Sequence, residues 1–205
     1  MHIPKRKRNK LVSKHGVLFL LREDYERHRQ DSTRAGFRAI ASYRFAVWAR
    51  GLHNSGLRLV FSSISQMVLR FVRNQYGIEL YATSTIGRRF QIGHQNGIVI
   101  HKFATIGDDC RVRHGVTLGV GGIRRAKSPE SFRDNAPVLG NGVDVGAGAV
   151  IVGKIRIGDG VKIGPNAVVL TDVPAGATVM APMPKIIRVE PETGAVSSPT
   201  GHDIT

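Results

Sequence analysis

Residues 139–169 read LGNGVDVGAGAVIVGKIRIGDGVKIGPNAVV. Every sixth position is aliphatic, at Leu139, Val145, Ile151, Ile157, Ile163 and Val169. A fixed period this short marks a solenoid, and a period of six marks a parallel β-helix in which each unit supplies one short strand and one turn. The aliphatic residue points into a narrow core, and small residues such as Ala147, Ala149 and Ala167 stand where bulk would not fit. Glycine follows the aliphatic residue at Gly140, Gly146, Gly158 and Gly164, where the chain is expected to turn a tight corner.

The same period extends towards the N-terminus. Leu80, Ile86 and Ile92 lead to Ile98, and a second series, Ile100, Ile106, Val112 and Leu118, is displaced from the first by two residues. Between Val120 and Pro137 the period is lost. The segment VGGIRRAKSPESFRDNAP must therefore leave one corner as an extended loop, 120–137, and such insertions commonly sit on the binding face of a solenoid. The β-helix spans 77–187. Residues 188–205, rich in Pro, Thr, Ser and Gly, are expected to form a flexible tail without assignable chemistry.

Upstream of residue 77 the period changes. Phe37, Ile40, Ala41, Arg44, Phe45, Val47 and Trp48 recur every three to four residues, as one face of a helix requires. Asn54-Ser55-Gly56 marks a break, and a second helical pattern runs from Leu57 through Val60, Phe61, Ile64, Met67, Val68, Leu69 and Phe71–Val72. An earlier helix is expected over Val17 to about Gln30. These make a small α-helical domain, 15–76, preceded by a basic arm, 1–14, that carries the run Lys5-Arg6-Lys7-Arg8-Asn9-Lys10. The fold class is mainly β, a parallel β-helix with a small N-terminal helical domain.

Composition narrows the function classes. The chain of 205 residues carries 30 basic and 15 acidic side chains, a formal net charge of +15. Charge alone does not choose among nucleic acid, an anionic membrane surface and a polyanionic small molecule. A single cysteine, Cys110, excludes an internal disulfide framework and a cysteine-built zinc site, and fits a reducing compartment. The apolar run Val17–Leu21 is too short for a membrane span and is followed by Arg22-Glu23-Asp24, so neither a transmembrane helix nor a cleaved signal peptide is expected. A cytoplasmic location is the expectation.

The linked order of helical domain, histidine-bearing coil, extended loop and final coils resembles the hexapeptide-repeat acyltransferases, and within them the serine O-acetyltransferase family. The resemblance covers roughly residues 35–187. It is carried by GFRAIASYRFAVW, GIELYATSTIGRRFQIGHQNGIVI, HGVTLG and VGAGAVIVGKIRIGDGVKIGPNAVVL. It implies a left-handed β-helix, a homotrimer with active sites between neighbouring subunits, and acetyl-CoA as donor. Whether trimers pair through the helical domain is left open, and no metal is expected.

On that resemblance, His94 in GHQNG matches the catalytic base, which takes a proton from the acceptor hydroxyl as its oxygen attacks the thioester carbonyl. Glu79 falls where the family places an aspartate that orients the base; a carboxylate there fixes the imidazole tautomer and stabilises its cation. His114 lies two residues after Val112, as His94 lies two after Ile92. If one corner absorbs the displacement, the two histidines stack on successive coils. His114 then either helps hold the acceptor or is a structural neighbour. Ala147 and Lys162 match positions around the pantetheine arm and the nucleotide end of CoA, and Lys185 lies near the end of the solenoid, where it can meet phosphate charge.

The departures bear on the acceptor. Serine acetyltransferases carry Asp immediately before the catalytic His, where this chain has Gly93, and Asp-Arg-His-Pro in the loop, where it has Asp134-Asn135-Ala136-Pro137. The groups suited to the two charges of a free amino acid are thus missing, and binding a zwitterion without partners is costly. Arg124, Arg125, Lys127 and Arg133 in the longer loop are candidates to supply charge. This favours a sugar hydroxyl or another small hydroxyl compound, a role known in the polysaccharide-biosynthesis branch, over L-serine in cysteine biosynthesis.

Two other classes stay in view. A metal-dependent hydratase on the same fold would need three histidine ligands, and His94, His101 and His114 do not match that pattern. A non-enzymatic basic solenoid could engage an anionic membrane through its arm. Nucleic acid is disfavoured, because no aromatic-interleaved platform is present.

Overall fold

The computed structural model describes residues 10–121, 135–183 and 185. The first nine residues of the basic arm, residues 122–134 of the extended loop and the tail from 186 onward lie outside the described residues. Helices come first: α1 (Lys10–His15), α2 (Val17–Arg27), α3 (Ala35–Gly51) and α4 (Ser55–Tyr76). Helix α1 begins in the segment assigned to the arm, and its Val12 is buried. Asn54 caps α4, its side-chain oxygen accepting from Leu57 N–H at 3.0 Å. Gly77 ends the helix in the left-handed conformation, φ 61°.

Fourteen short strands follow among the described residues, forming three all-parallel sheets. Sheet one holds β1 (Ile78–Glu79), β4 (Ile98–Ile100), β7 (Thr117–Gly119), β10 (Val150–Val152) and β13 (Val168–Val169). Sheet two holds β2 (Thr85–Ile86), β5 (Thr105–Ile106), β8 (Val138–Leu139) and β11 (Arg156–Ile157). Sheet three holds β3 (Gln91–Ile92), β6 (Arg111–Val112), β9 (Asp144–Val145), β12 (Lys162–Ile163) and β14 (Thr178–Val179). Each strand as far as β13 pairs with the strand three elements away, so three strands make one coil of a triangular prism, and β14 closes the array on β12.

The six-residue period is the core itself. Leu80, Ile86, Ile92, Ile98, Ile100, Ile106, Val112 and Leu118 are all buried, as are Leu139, Val145, Ile151, Ile157, Ile163 and Val169. Later coils advance by eighteen residues, as Val150 pairs with Val168 and Asp144 with Lys162. The first coil is two residues longer, since Ile92 pairs with Val112 but Ile100 with Leu118. The surplus therefore lies in the corner between β3 and β4, which contains His94. The extended loop leaves between β7 and β8, and its described ends meet where Gly121 N–H donates to Asn135 O at 3.2 Å.

The helices cap the first coil. Its upper edge would otherwise present unpaired backbone groups in a buried place. The Tyr43 hydroxyl donates to Ser84 O and accepts from Ile86 N–H, at 2.9 and 3.1 Å. Arg44 donates to Ile86 O at 2.9 Å and Gly87 O at 2.5 Å, while its Nε meets Asp24 Oδ2 at 2.8 Å. His28 completes the cap: Nδ1 meets Asp24 O at 2.6 Å, and Nε2 accepts from Ile92 N–H at 3.2 Å. Burial pushes the His28 pKa down, which suits a neutral ring with its proton on Nδ1.

One helical pattern read from the sequence is not core. Along α4, Leu57, Val60, Ile64, Met67 and Phe71 are exposed, while Val72 and Ser65 face inward. Among the described residues no helix is long and apolar enough to cross a membrane.

Candidate active site

The corner between sheets three and one brings three of the expected residues near one another. Gly93 stands over Arg113 and Gly97 over Gly115, so Asn96, His114 and Ala147 share one place on successive coils and His94 lies in the two-residue surplus just before it. The His94 and His114 rings stand edge to face, centroids 5.7 Å apart at 74°. Backbone bonds tie the column together: Gly115 N–H donates to Asn96 O, Gly148 N–H to His114 O and Asn166 N–H to Ala147 O, at 2.9, 2.9 and 2.8 Å. Both histidines are exposed on the single chain. The His94 corner is two residues longer than the corners beneath it.

Glu79 stands on the outer face of β1, opposite Val99. The His94 corner abuts the start of that strand, because Asn96 N–H donates to Tyr76 O at 2.9 Å. No hydrogen bond joins Glu79 to His94. Instead the Tyr81 hydroxyl donates to Glu79 Oε1, and that bond is the main cause of a raised Tyr81 pKa. Glu79 and Tyr81 line a cleft of about 440 Å³ between α4 and the first coil, together with Arg50, Arg70, Arg73 and Lys102.

The remaining expected residues lie apart from this corner. Lys162 is exposed on sheet three, in a column that runs Gln91, Arg111, Asp144, Lys162, Thr178. Its neighbour Asp144 already pairs with Arg113 at 2.6 Å. Lys185 is exposed beyond β14. His101 is partly buried at the next corner, between β4 and β5, where desolvation lowers its pKa. It does not join His94 and His114. Among the described residues no group of three His, Cys, Asp or Glu could hold a metal ion.

Two of the positions where the sequence departs from the serine acetyltransferases differ physically. A Cβ added at Gly93 would meet Val112 O at 3.5 Å and Arg113 Cγ at 3.6 Å, an ordinary contact, so packing does not demand glycine there. Ala136, in the place of the loop histidine, is buried. Sequence reading missed Tyr81 and the cations of the cleft. Tyr81 was within reach of it, because residues two apart on a strand share a face.

Comparison with known proteins agrees with the architecture. Residues 136–171 match the family described as bacterial transferase hexapeptide (six repeats). A serine acetyltransferase of Helicobacter pylori is 41% identical over 152 residues, covering 74% of this chain and 81% of its own length. A relative from Escherichia coli K12 named for acetyl transfer in colanic acid biosynthesis, WcaB, is 41% identical over 105 residues, or 51% of this chain and 60% of its own. The structure of a serine acetyltransferase from Brucella abortus in complex with coenzyme A superposes with a TM-score of 0.65 at 26% identity, over 86% of this chain and 68% of that one. A left-handed parallel β-helix under a helical cap is thus matched in sequence and in fold, and the chain is an acyltransferase belonging to the serine O-acetyltransferase family.

Proposed function

We propose that the protein is an acetyl-CoA-dependent O-acetyltransferase whose acceptor is a sugar hydroxyl, with His94 as general base. The supporting observation is the lengthened corner that carries His94 with its ring centroid 5.7 Å from that of His114, with room left unused at Gly93. Neutral His94 takes the proton of the acceptor hydroxyl as the oxygen attacks the thioester carbonyl; the C–S bond then breaks, and the proton passes from His94 to the departing sulfur. The products are an acetate ester and free CoA. Glu79 orients and stabilises the imidazolium, a role for which it would exchange its bond from Tyr81 for one from His94. Ala147 leaves space for the pantetheine arm two coils below His94, and Lys162 and Lys185 supply cations for the phosphates.

A homotrimer fits the surface. The outer column of sheet one runs Glu79, Val99, Thr117, Val150, Val168, apolar or hydroxylic below Glu79, whereas that of sheet three is charged. That column and the exposed stripe of α4 form the kind of apolar area that subunit contact covers. A cytoplasmic setting suits the buried Cys110 thiol.

Release of CoA thiol, measured with a panel of sugars and with L-serine, tests the reading. Turnover with a sugar and loss of ~10²–10⁴-fold in kcat for His94→Ala are expected. Robust serine turnover would instead support the second reading, L-serine acetylation, which the similarity to the Helicobacter pylori enzyme favours. A near-wild-type rate for His94→Ala would remove that residue from the base role.

A further inference from the structure

The cleft beside Glu79 gathers cations in one concavity. On the first coils and their helical cap several arginines instead meet carboxylates: Arg44 meets Asp24, Arg88 and Arg89 meet Glu23, Arg89 also meets Asp109, and Arg111 and Arg113 meet Asp144. Around the cleft stand Arg50, Arg70, Arg73 and Lys102, and Glu79 is the one carboxylate lining it among the described residues. Neither Arg70, Arg73 nor Lys102 forms an ion pair among those residues. Arg73 donates only to the neighbouring Asn74 side chain, at 3.3 Å, and Lys102 Nζ lies over the Phe103 ring, 5.1 Å from its centroid. Glu79 itself is engaged by Tyr81.

Cations gathered in one concavity repel one another, and an anion entering it relieves that repulsion while gaining charge-assisted hydrogen bonds. Ser62, Gln66 and Thr83 line the same cleft and offer the hydroxyl and amide groups that pair with sugar hydroxyls. A volume of about 440 Å³ is of ligand size. The phosphates of the donor are the competing anion. The residues assigned to the donor, however, sit lower on the prism: Lys162 is on β12, three coils from β1, or ~14 Å at the spacing of neighbouring strands.

We infer that this cleft receives the acceptor and that the acceptor is an anionic sugar, whose carboxylate or phosphate is held by Arg70, Arg73 and Lys102 while a hydroxyl is presented towards Glu79 and His94. The inference rests on the O-acetyl-transfer reading above and adds the charge of the substrate to it.

The test titrates the full chain with methyl glucuronide, glucose 1-phosphate and neutral methyl glucoside, and in parallel measures CoA release with each. An anionic sugar should bind at least ~10-fold more tightly than the neutral one, the scale of one charge-assisted hydrogen bond. Arg70→Gln and Arg73→Gln, verified as folded by circular dichroism, should each cut that preference by ~10-fold and act on the KM for the sugar more than on kcat. A carboxylate preference or a phosphate preference identifies the group. Equal binding of neutral and anionic sugars, or a preference unmoved in both variants, overturns the inference. So does a rise in the KM for acetyl-CoA in the variants, which would assign the cleft to the donor. Anion-selective binding with turnover of serine and of no sugar would overturn the assignment of this acceptor and the sugar reading together, whereas turnover of neutral and anionic sugars alike would leave the sugar reading standing alone.

Discussion

Gly93 is the residue at which chemistry and packing separate most cleanly. A Cβ there would make only ordinary contacts, so packing does not account for the absence of the carboxylate expected from the serine acetyltransferases. Gly93→Asp should therefore fold with near-wild-type stability, and it should lower sugar turnover without restoring serine turnover, because Ala136 still replaces the loop histidine; thermal melts and CoA release check both halves. Arg44 is the opposite case. It stands inside an apolar helical stripe and is fully buried with Asp24, whose carboxyl is pushed up by burial more than Arg44 pulls it down. Removing the guanidinium alone, as in Arg44→Met, strands a buried carboxylate and two carbonyls, and should cost about 3–5 kcal/mol in urea unfolding. The double variant Arg44→Met/Asp24→Leu should recover part of that loss. A charged residue within a hydrophobic stripe was the visible signal of this pair. Its partner was not visible, because nothing in the spacing of α3 points to α2.

At the level of elements, the prism was legible and its covering was not. All fourteen period-six residues are buried because a narrow triangular core leaves each of them a single place to go. His94 and His114 meet edge to face at the one corner that absorbs two residues. The exposed stripe of α4 was illegible, since helical spacing shows which residues share a face but not what covers it. The glycines needed a different reason from the one expected. At Gly87 and Gly107 the backbone is ordinary, and it is the lack of space that matters: a Cβ would run into Gly107 O and Gly140 O of the coil below. The left-handed corner positions are others, such as Gly115 and Gly148, at φ 71° and 69°. Gly107→Ala should thus destabilise by ~1–3 kcal/mol through overpacking, read as a fall in melting temperature. The cap adds a pH dependence. His28 is held below its ordinary 6.5 by burial, so its stabilisation is present above pH 6.5 and is lost as the pH falls. Glu23, held below 4.5 chiefly by its hydrogen bond from Arg88, and Asp109, held below 3.8 chiefly by Arg89, add a second loss at more acid pH. Asp24, raised by burial, works the other way and softens that second loss. Urea midpoints measured from pH 8 to about pH 2 should decline in those two stages, and Glu23→Gln should flatten the lower one.

For the whole molecule, the axis of the prism orders its stability. In such arrays each coil rests on its neighbours, and the ends open first. The coil that bears His94 and Glu79 is an end coil, covered on its outer side by α2 and α3 through Tyr43, Arg44 and His28. The coils below it rest on one another. Heating should therefore release the helical cap while the lower prism is still wound. Activity followed by CoA release should vanish several degrees before the β-sheet signal in circular dichroism does, and coincident loss of the two would contradict this order. A further consequence concerns repair after heat. A chain cooled from that intermediate temperature keeps its lower coils as a ready template, so it should regain activity faster than one refolded from urea, having only the lid of the prism to rebuild.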